Sequence, residues 1–260
     1  MGHGDAPIVA GLALDEPAPG SPEHLVLNLV GIDGSRMDAD RAVSLIRQAA
    51  SAREGVVVTL TGERRVNDLA DALEHPDLPR IAHAAAGAGA LALHVRTPAL
   101  APQRTVLGLL DLGLDAVSLE IVAKDAYTYE LLTGRPGFDE SRANIHALIG
   151  ERNARQPADG VPLPWLVARI TRRDTIYEQI DDLYDRWLLA CGAAVLDPLP
   201  EAVPGERIEP LPVPARTAHR LAQRELVVMP DLTTPAGVSV RDGLTEAHRS
   251  ENRPGLAGVA

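Results

Sequence analysis

The sequence of 260 residues contains one cysteine, Cys191. A single thiol excludes a disulfide within the chain and is too few for a thiolate-ligated iron–sulfur cluster or a cysteine-rich zinc site. Cys191 follows the apolar run WLLA and precedes Gly192, which places it at the C-terminal end of a predicted helix. The helix dipole raises the pKa of a thiol there, so core packing is favoured over a nucleophilic role.

Aromatic residues make up only 3% of the chain, and Phe138 is its sole phenylalanine. The core must therefore consist mainly of Leu, Val, Ile and Ala. The formal net charge of -11 disfavours binding to nucleic acid or to an anionic membrane surface. No apolar run approaches the roughly 20 residues of a membrane-spanning helix, and the N-terminus lacks a basic signal segment. We expect a cytoplasmic protein with no nucleic-acid or membrane partner.

Strands and helices are predicted to alternate six times in the middle of the chain. The strands are predicted at 24–30, 56–60, 91–95, 116–121, 165–170 and 193–196. The helices are predicted at 42–52, 67–73, 78–86, 103–113, 125–133, 138–154 and 176–190. Short connections and continuous apolar runs such as VVVTL (56–60) indicate an α/β fold, as a parallel sheet or a partial barrel.

The two ends of the chain differ from the middle in composition. Residues 1–23 are rich in Gly, Pro and acidic residues and are predicted to form an irregular arm. Prolines are dense after residue 197, and residues 201–260 are predicted to form a connector and a small tail. That tail contains a predicted strand at 225–229 and a last helix near 242–249. The sequence thus predicts three regions, with the α/β unit at 24–200.

Several ordered segments carry a resemblance to a known family. They are HPDLPRIAHAAAGAGALALHVRT (75–97), a segment around LDAVSLEI (109–148), one around LPWLVARITRRD (163–200) and the tail at 207–251. These segments resemble, in order, parts of radical S-adenosylmethionine (SAM) enzymes that carry a C-terminal SPASM-type extension. The resemblance spans roughly residues 24–251. It implies a partial (β/α)6 barrel of parallel strands with a small irregular SPASM-like C-terminal extension.

The departures from the family pattern fall where its cofactors bind. In the family, a CxxxCxxC loop after the first strand binds a [4Fe–4S] cluster, and SAM chelates that cluster. The corresponding loop here, GIDGSRMDAD (31–40), has no cysteine, and the tail offers only His219 where auxiliary-cluster cysteines are expected. Oxygen donors are poor substitutes for thiolate on cluster iron. We therefore expect no [4Fe–4S] cluster, no metal and no other cofactor, with SAM kept as an alternative.

The resemblance implies a vestigial SAM site at the carboxyl edge of the sheet, where parallel sheets bind ligands. The family's GGEP motif survives as Gly62 and Glu63, whose carboxylate could hold an ammonium group. The family's SAM-binding positions on the fourth and fifth strands have Ser118, Glu120 and Arg169 as their nearest matches. In the alternative interpretation, the charges near the strand ends pair with one another in a barrel mouth that has lost its ligand; they are Glu63, Arg96, Glu120 and Arg169.

The predicted function is that of a non-catalytic radical SAM homologue, a pseudoenzyme without catalytic residues. It would act as partner, scaffold or substrate-presenting protein for a catalytically intact radical SAM protein or another protein. The alternatives are a cluster-independent enzyme or a SAM- or nucleoside-binding protein that uses the barrel mouth, and a decaying gene without selected function. The sequence displays no nucleophile–base pair, and each of the eight histidines is expected in the core or at the surface.

Overall fold

The computed structural model describes residues 22–155, 160, 162–199, 202–210, 224–234 and 240. One sheet of seven parallel strands organises them, in the order β6-β5-β4-β3-β2-β1-β7. The strands are β1 (His24–Val30), β2 (Val57–Gly62), β3 (Ala92–Thr97), β4 (Ala116–Glu120), β5 (Trp165–Thr171), β6 (Ala194–Asp197) and β7 (Glu225–Val228). The α/β fold class is confirmed, and the sheet with its flanking helices is consistent with the partial barrel.

Six α-helices and three short 3₁₀ turns are present in the described residues. The helices are α1 (Ala39–Ala52), α2 (Leu78–Gly87), α3 (Gln103–Leu107), α4 (Ala126–Thr133), α5 (Phe138–Ala154) and α6 (Ile180–Cys191). The 3₁₀ turns are Ala72–Glu74, Gly108–Asp111 and Asp174–Gln179. None of the helices in this part of the chain is both long enough and apolar enough to cross a membrane.

The two faces of the sheet differ sharply in chemistry. One face carries apolar side chains that pack against the helices and form the core; on β1 these are Leu25, Leu27 and Leu29. The opposite, concave face carries His24 and Asn28 on the same strand. Because side chains alternate along a strand, each strand contributes to both faces. A sheet buried by helices on one face therefore presents a polar interior on the other.

The helices follow from amphipathic patterns and local caps. Helix α1 buries Ala42, Leu45 and Ile46 at helical spacing, and the Asp38 side chain caps its first turn by accepting a bond of 2.9 Å from the Arg41 amide. Helix α5 spans the predicted residues, as does strand β1. The predicted ends of the other strands differ from the observed ends by one or two residues.

The helix predicted at 67–73 is wrong. The chain after β2 instead folds back on itself: Arg64 and Leu69 form an antiparallel bridge, and the Ala70 amide donates to the Glu63 carbonyl at 2.9 Å. A Cβ atom at Gly62 would overlap the Ala70 carbonyl, so only glycine permits this close return. Helical spacing of apolar residues is thus overridden by a tight backbone contact.

Strand β7 extends the sheet beyond the six strands predicted for the barrel. The strand predicted at 225–229 is present as β7 and runs parallel to β1, with His24 opposite Glu225 and Leu27 opposite Val228. Leu226 and Val228 are fully buried. The helix predicted near 242–249 lies outside the described residues, as do most of the N-terminal arm and the SPASM-like tail. The division into three regions stays a prediction.

Replacing Leu226 by Ala tests the place of β7 in the core. We expect the free energy of unfolding to fall by about 3 kcal/mol, because a fully buried leucine is lost from the sheet. Leu189→Ala is the control, since Leu189 is 86% exposed. Urea denaturation of both variants measures the difference; a change of under about 0.5 kcal/mol in Leu226→Ala would show that β7 does not pack there.

Candidate functional site

The concave face of the sheet lines an open cavity of about 830 Å³. Its walls come from β7, β1, β2, β3 and β5 and from the loop after β2. The polar side chains that the strands contribute to it are His24, Asn28, Thr59, Thr61, His94, Arg96, Arg169 and Glu225. The volume is that of a small-molecule site, and most of the residues that line it have polar side chains, whereas such sites are usually lined by apolar ones.

Five charged side chains form one chain of ion pairs, called here the arginine network. Glu120, at the end of β4, accepts from Arg64 Nη2 at 2.9 Å and also from Arg96 Nε. Asp197, at the end of β6, accepts from Arg96 Nη2 at 2.9 Å and from Arg169 Nε at 2.9 Å. Two carboxylates are thus shared among three guanidinium groups. The network links the last residues of β4 and β6 through the arginines of β3 and β5.

Burial sets the electrostatics of this network. The Glu120 side chain is only 4% exposed, and its burial raises the pKa of its carboxyl group, while Arg96 acts in the opposite direction. An unpaired carboxylate at this depth would be costly, so the two arginines are needed to keep it charged. Glu120 and Arg169, predicted as SAM-site residues, are therefore engaged in ion pairs within the chain.

Glu63 is bound to the chain itself. One carboxylate oxygen accepts from the Ile32 amide at 3.1 Å, and the other pairs with Arg65 at 3.3 Å. Gly62 lies at the end of β2, where its role is the close contact with Ala70. The GGEP-like residues thus hold the loop after β1 and the return of the chain.

The loop after β1 closes on itself. The Gly31 amide donates to the Ser35 carbonyl at 2.8 Å, the Met37 amide to the Leu29 carbonyl at 2.9 Å, and the Ser35 amide to the Asp33 carboxylate at 2.9 Å. The side chains offered here are hard oxygen donors without any thiolate. These residues do not fit a [4Fe–4S] cluster, and no step of a reaction is assigned to one.

A second polar layer crosses five neighbouring strands, and we call it the hydrogen-bond relay. Glu225 Oε2 lies 2.9 Å from His24 Nδ1, and His24 Nε2 lies 2.8 Å from Thr59 Oγ1. Thr59 Oγ1 lies 3.0 Å from His94 Nδ1, and His94 Nε2 lies 2.9 Å from Ser118 Oγ. The relay therefore joins β7, β1, β2, β3 and β4 without a break.

The tilt of the strands explains how the relay forms. His24 lies opposite Val57 in the β1–β2 register, yet it bonds to Thr59, two residues further on. In the same way His94 lies opposite Ala116 and bonds to Ser118. Tilted strands in a barrel bring such diagonal positions to one level.

The structure brings the predicted residues to one face without joining them into one site. Ser118 belongs to the relay, Glu120 and Arg169 to the arginine network, and Glu63 to the loop after β1. Sequence reasoning missed His24, Thr59 and Asp197 as members of these layers. Strand alternation could have placed His24 on the polar face, because it is followed by the buried Leu25.

Thr59 Oγ1 lies within hydrogen-bond distance of His24 Nε2, a hydroxyl–imidazole contact that the sequence pattern did not indicate. Cys191 is a buried packing residue as predicted, and burial raises the pKa of its thiol to about 11. Over the described ranges, no group of three or more His, Cys, Asp or Glu side chains is placed to hold a metal ion.

The pH dependence of stability tests the relay. Burial, aided by the positive charge of Arg169, lowers the pKa of His94 from 6.5 to about 4. The unfolded chain therefore takes up the proton first, and the free energy of unfolding falls as the pH drops from 6.5 towards 4. Integrated over that range, His94 accounts for a loss of up to about 3 kcal/mol.

We expect His94→Gln to lack this component, so that its stability falls less steeply over the same pH interval. His83→Gln, at an exposed helical position, is the control and should follow the parent protein. Urea denaturation at several pH values measures all three proteins. Parallel curves for the parent and His94→Gln would contradict the depressed pKa.

Comparisons with known proteins place the fold. No family model matches the sequence, and no curated protein matches it. Among solved structures, Streptococcus suis SuiB bound to S-adenosylmethionine matches with a TM-score of 0.50 and 15% identity, over 68% of this chain. This chain spans only 38% of the length of SuiB.

A second solved protein, anSMEcpe, matches over more of its length. Its native form with bound AdoMet gives a TM-score of 0.57 and 8% identity, over 88% of this chain and 79% of that chain. The form with bound AdoMet and Cp18Cys peptide gives a TM-score of 0.57 and 9% identity, over 90% and 80%. Identities this low establish the architecture alone. The chain has the fold of the radical SAM enzymes, and it carries that fold with a single cysteine.

Proposed function

We propose that this chain is a relative of the radical SAM enzymes without radical chemistry, which neither binds a [4Fe–4S] cluster nor cleaves SAM. The observation that carries the proposal is the bonding of Glu63 to the loop after β1, through the Ile32 amide at 3.1 Å. The loop and the acidic residue expected to serve the cluster and SAM are thereby bound to each other. Reductive cleavage needs the electron of the cluster, and the loop has no thiolate to hold one.

The arginine network supports the same proposal from the opposite side of the cavity. Glu120 and Arg169 correspond to strand positions that help hold SAM in the family, and here each bonds to a charged partner within the chain. A ligand could displace such partners only at the cost of leaving buried charges unpaired, about 3 kcal/mol or more. The charged side chains at the cavity mouth therefore neutralise one another.

Measuring iron binding tests this proposal. We expect anaerobic incubation with iron and sulfide to leave the purified protein without stoichiometric cluster, because Cys191 is the single cysteine and lies in the core. We also expect no 5′-deoxyadenosine after addition of SAM and a reductant. A cysteine-bearing radical SAM enzyme treated in parallel is the control. One cluster per chain, or SAM cleavage above the level without protein, would contradict the proposal.

We further propose that the chain acts as partner or scaffold for a catalytically intact radical SAM protein. Strand β6 is an outer strand of the sheet as far as the structure describes it. It exposes Val195 and Leu196 by 37% and 39%, and the neighbouring helix α6 exposes Leu189 by 86%. An outer strand with apolar side chains is suited to pairing with another chain.

Substitution at this edge tests the partner role. We expect Leu196→Lys to abolish co-purification with a cysteine-bearing radical SAM protein from native lysate, since the charge opposes burial of the edge. Leu131→Lys is the matched control, because Leu131 is 60% exposed on α4, away from β6. Retention of the radical SAM protein by Leu196→Lys, or its absence from the parent sample, would contradict this role.

The cavity of about 830 Å³ favours a second function, the binding of a small molecule without radical chemistry. SAM and S-adenosylhomocysteine are the first ligands to titrate by calorimetry, given the fold. Heat of binding for either would support a nucleoside pocket. A flat titration for both would show that the cavity does not bind these nucleosides, and a different class of molecule would then be tested.

A further inference from the structure

Thr59 lies at the centre of the hydrogen-bond relay and on the wall of the cavity. Its hydroxyl lies 2.8 Å from His24 Nε2, and the other nitrogen of that imidazole lies 2.9 Å from the Glu225 carboxylate. A hydroxyl, an imidazole and a carboxylate bonded in this order are the arrangement that activates a nucleophile. The three residues come from β2, β1 and β7.

The carboxylate fixes the direction of the protons. Because Glu225 accepts, Nδ1 of His24 carries the hydrogen, and a neutral His24 therefore offers Nε2 as an acceptor to the Thr59 hydroxyl. His94 Nδ1 then donates to Thr59 Oγ1, and its Nε2 accepts from Ser118. Thr59 Oγ1 thus gives its proton to one imidazole and receives a bond from the other. The second bond stabilises negative charge that develops on Oγ1.

The charges of the cavity indicate the class of substrate. Its upper end holds the arginine network, in which three guanidinium groups face two carboxylates. The ion pairs of Arg96 and Arg169 use Nε and Nη2, which leaves Nη1 of each outside them. The lower end ends in the Glu225 carboxylate. An anionic group of a ligand therefore fits the upper end and leaves an uncharged group beside the relay.

We propose that Thr59, His24 and Glu225 form an esterase-type site for small esters that carry a carboxylate or phosphate group. Thr59 Oγ1 attacks the ester carbonyl carbon while its proton passes to His24 Nε2. The C–O bond to the leaving alcohol breaks, and the alcohol takes that proton from His24. Water then attacks the acyl–Thr59 ester with His24 as base, and this releases the acid and restores the hydroxyl.

The roles of the three residues differ. Thr59 and His24 are catalytic residues, since both touch the reacting atoms. Glu225 is a positioning residue that holds the His24 tautomer. The inference goes beyond the proposed loss of radical chemistry, and iron and SAM assays do not bear on it. The two proposals can therefore fail separately.

Acyl transfer to the parent protein is the first test. The purified chain is incubated with 4-nitrophenyl acetate, quenched in acid and analysed by intact mass and peptide mapping. We expect one acetyl group per chain, located on Thr59, and turnover that releases 4-nitrophenol. Acetylation found only at Lys124 or at the N-terminus, or no acetylation at all, would overturn the proposal.

Variants then separate chemistry from folding. Thr59→Val keeps the shape of the side chain and should remove acetylation and turnover. Thr133→Val, which removes another buried hydroxyl, bonded to the Tyr129 carbonyl at 2.8 Å, should leave both unchanged. Glu225→Gln, at the exposed end of the relay, should lower kcat by about tenfold or more without raising KM. Full activity in Thr59→Val, or a change in KM alone in Glu225→Gln, would overturn the assigned roles.

The substrate class has its own test. The anionic ester 4-nitrophenyl hydrogen succinate should show a KM about tenfold lower than that of the neutral acetate, because the guanidinium groups bind its free carboxylate. The preference should shrink as salt is added. A lower KM for the neutral ester would contradict an anionic substrate.

Discussion

The shared ion pairs of Glu120 and Asp197 are the contacts on which the concave face depends. Each carboxylate lies at the end of a strand with little access to water, and each is held by two arginines. Removing one arginine would leave a buried charge under-compensated, at about 3–5 kcal/mol. The ends of β4 and β6 and the arginines of β3 and β5 are therefore fixed together, and the polar face keeps its form without help from a ligand.

The hydrogen-bond relay provides partners for the polar side chains next to the arginine network. Polar side chains on a half-buried face need hydrogen-bond partners, and here each imidazole nitrogen and each hydroxyl has one. The strand tilt of the barrel supplies the geometry, since it brings diagonal neighbours to one level. The same set of bonds, from Ser118 to Glu225, is the structural basis for the proposal that Thr59 carries a reactive hydroxyl.

Many of the strands and helices could be predicted from the sequence, but the side-chain pairings that line the cavity could not. Apolar alternation was enough to locate β1, and helical spacing with a clear start was enough for α5. The failure at 67–73 arose from a tight contact between Gly62 and Ala70 that no local pattern reveals. Pairings such as Arg96 with Asp197 join residues 101 positions apart, so they depend on the register and tilt of the strands.

The same reasoning changes the meaning of the single cysteine. The lack of cysteines in the loop after β1 predicts that no cluster binds there. The structure adds that this loop and Glu63 are bonded to each other. The fold of the radical SAM enzymes is kept with a polar interior that satisfies its own charges. The cavity has arginines at one end and imidazoles at the other.

The imidazole nitrogens of His94 report most directly on whether the polar side chains of the concave face satisfy one another's hydrogen bonds. Nitrogen-15 NMR above the histidine titration range distinguishes the two neutral tautomers. The hydrogen-bond relay predicts a neutral ring with its proton on Nδ1 and shifts that stay constant when SAM is added. A proton on Nε2, or shifts that move with SAM, would contradict a self-satisfied interior and indicate a cavity that still recognises the family's cofactor.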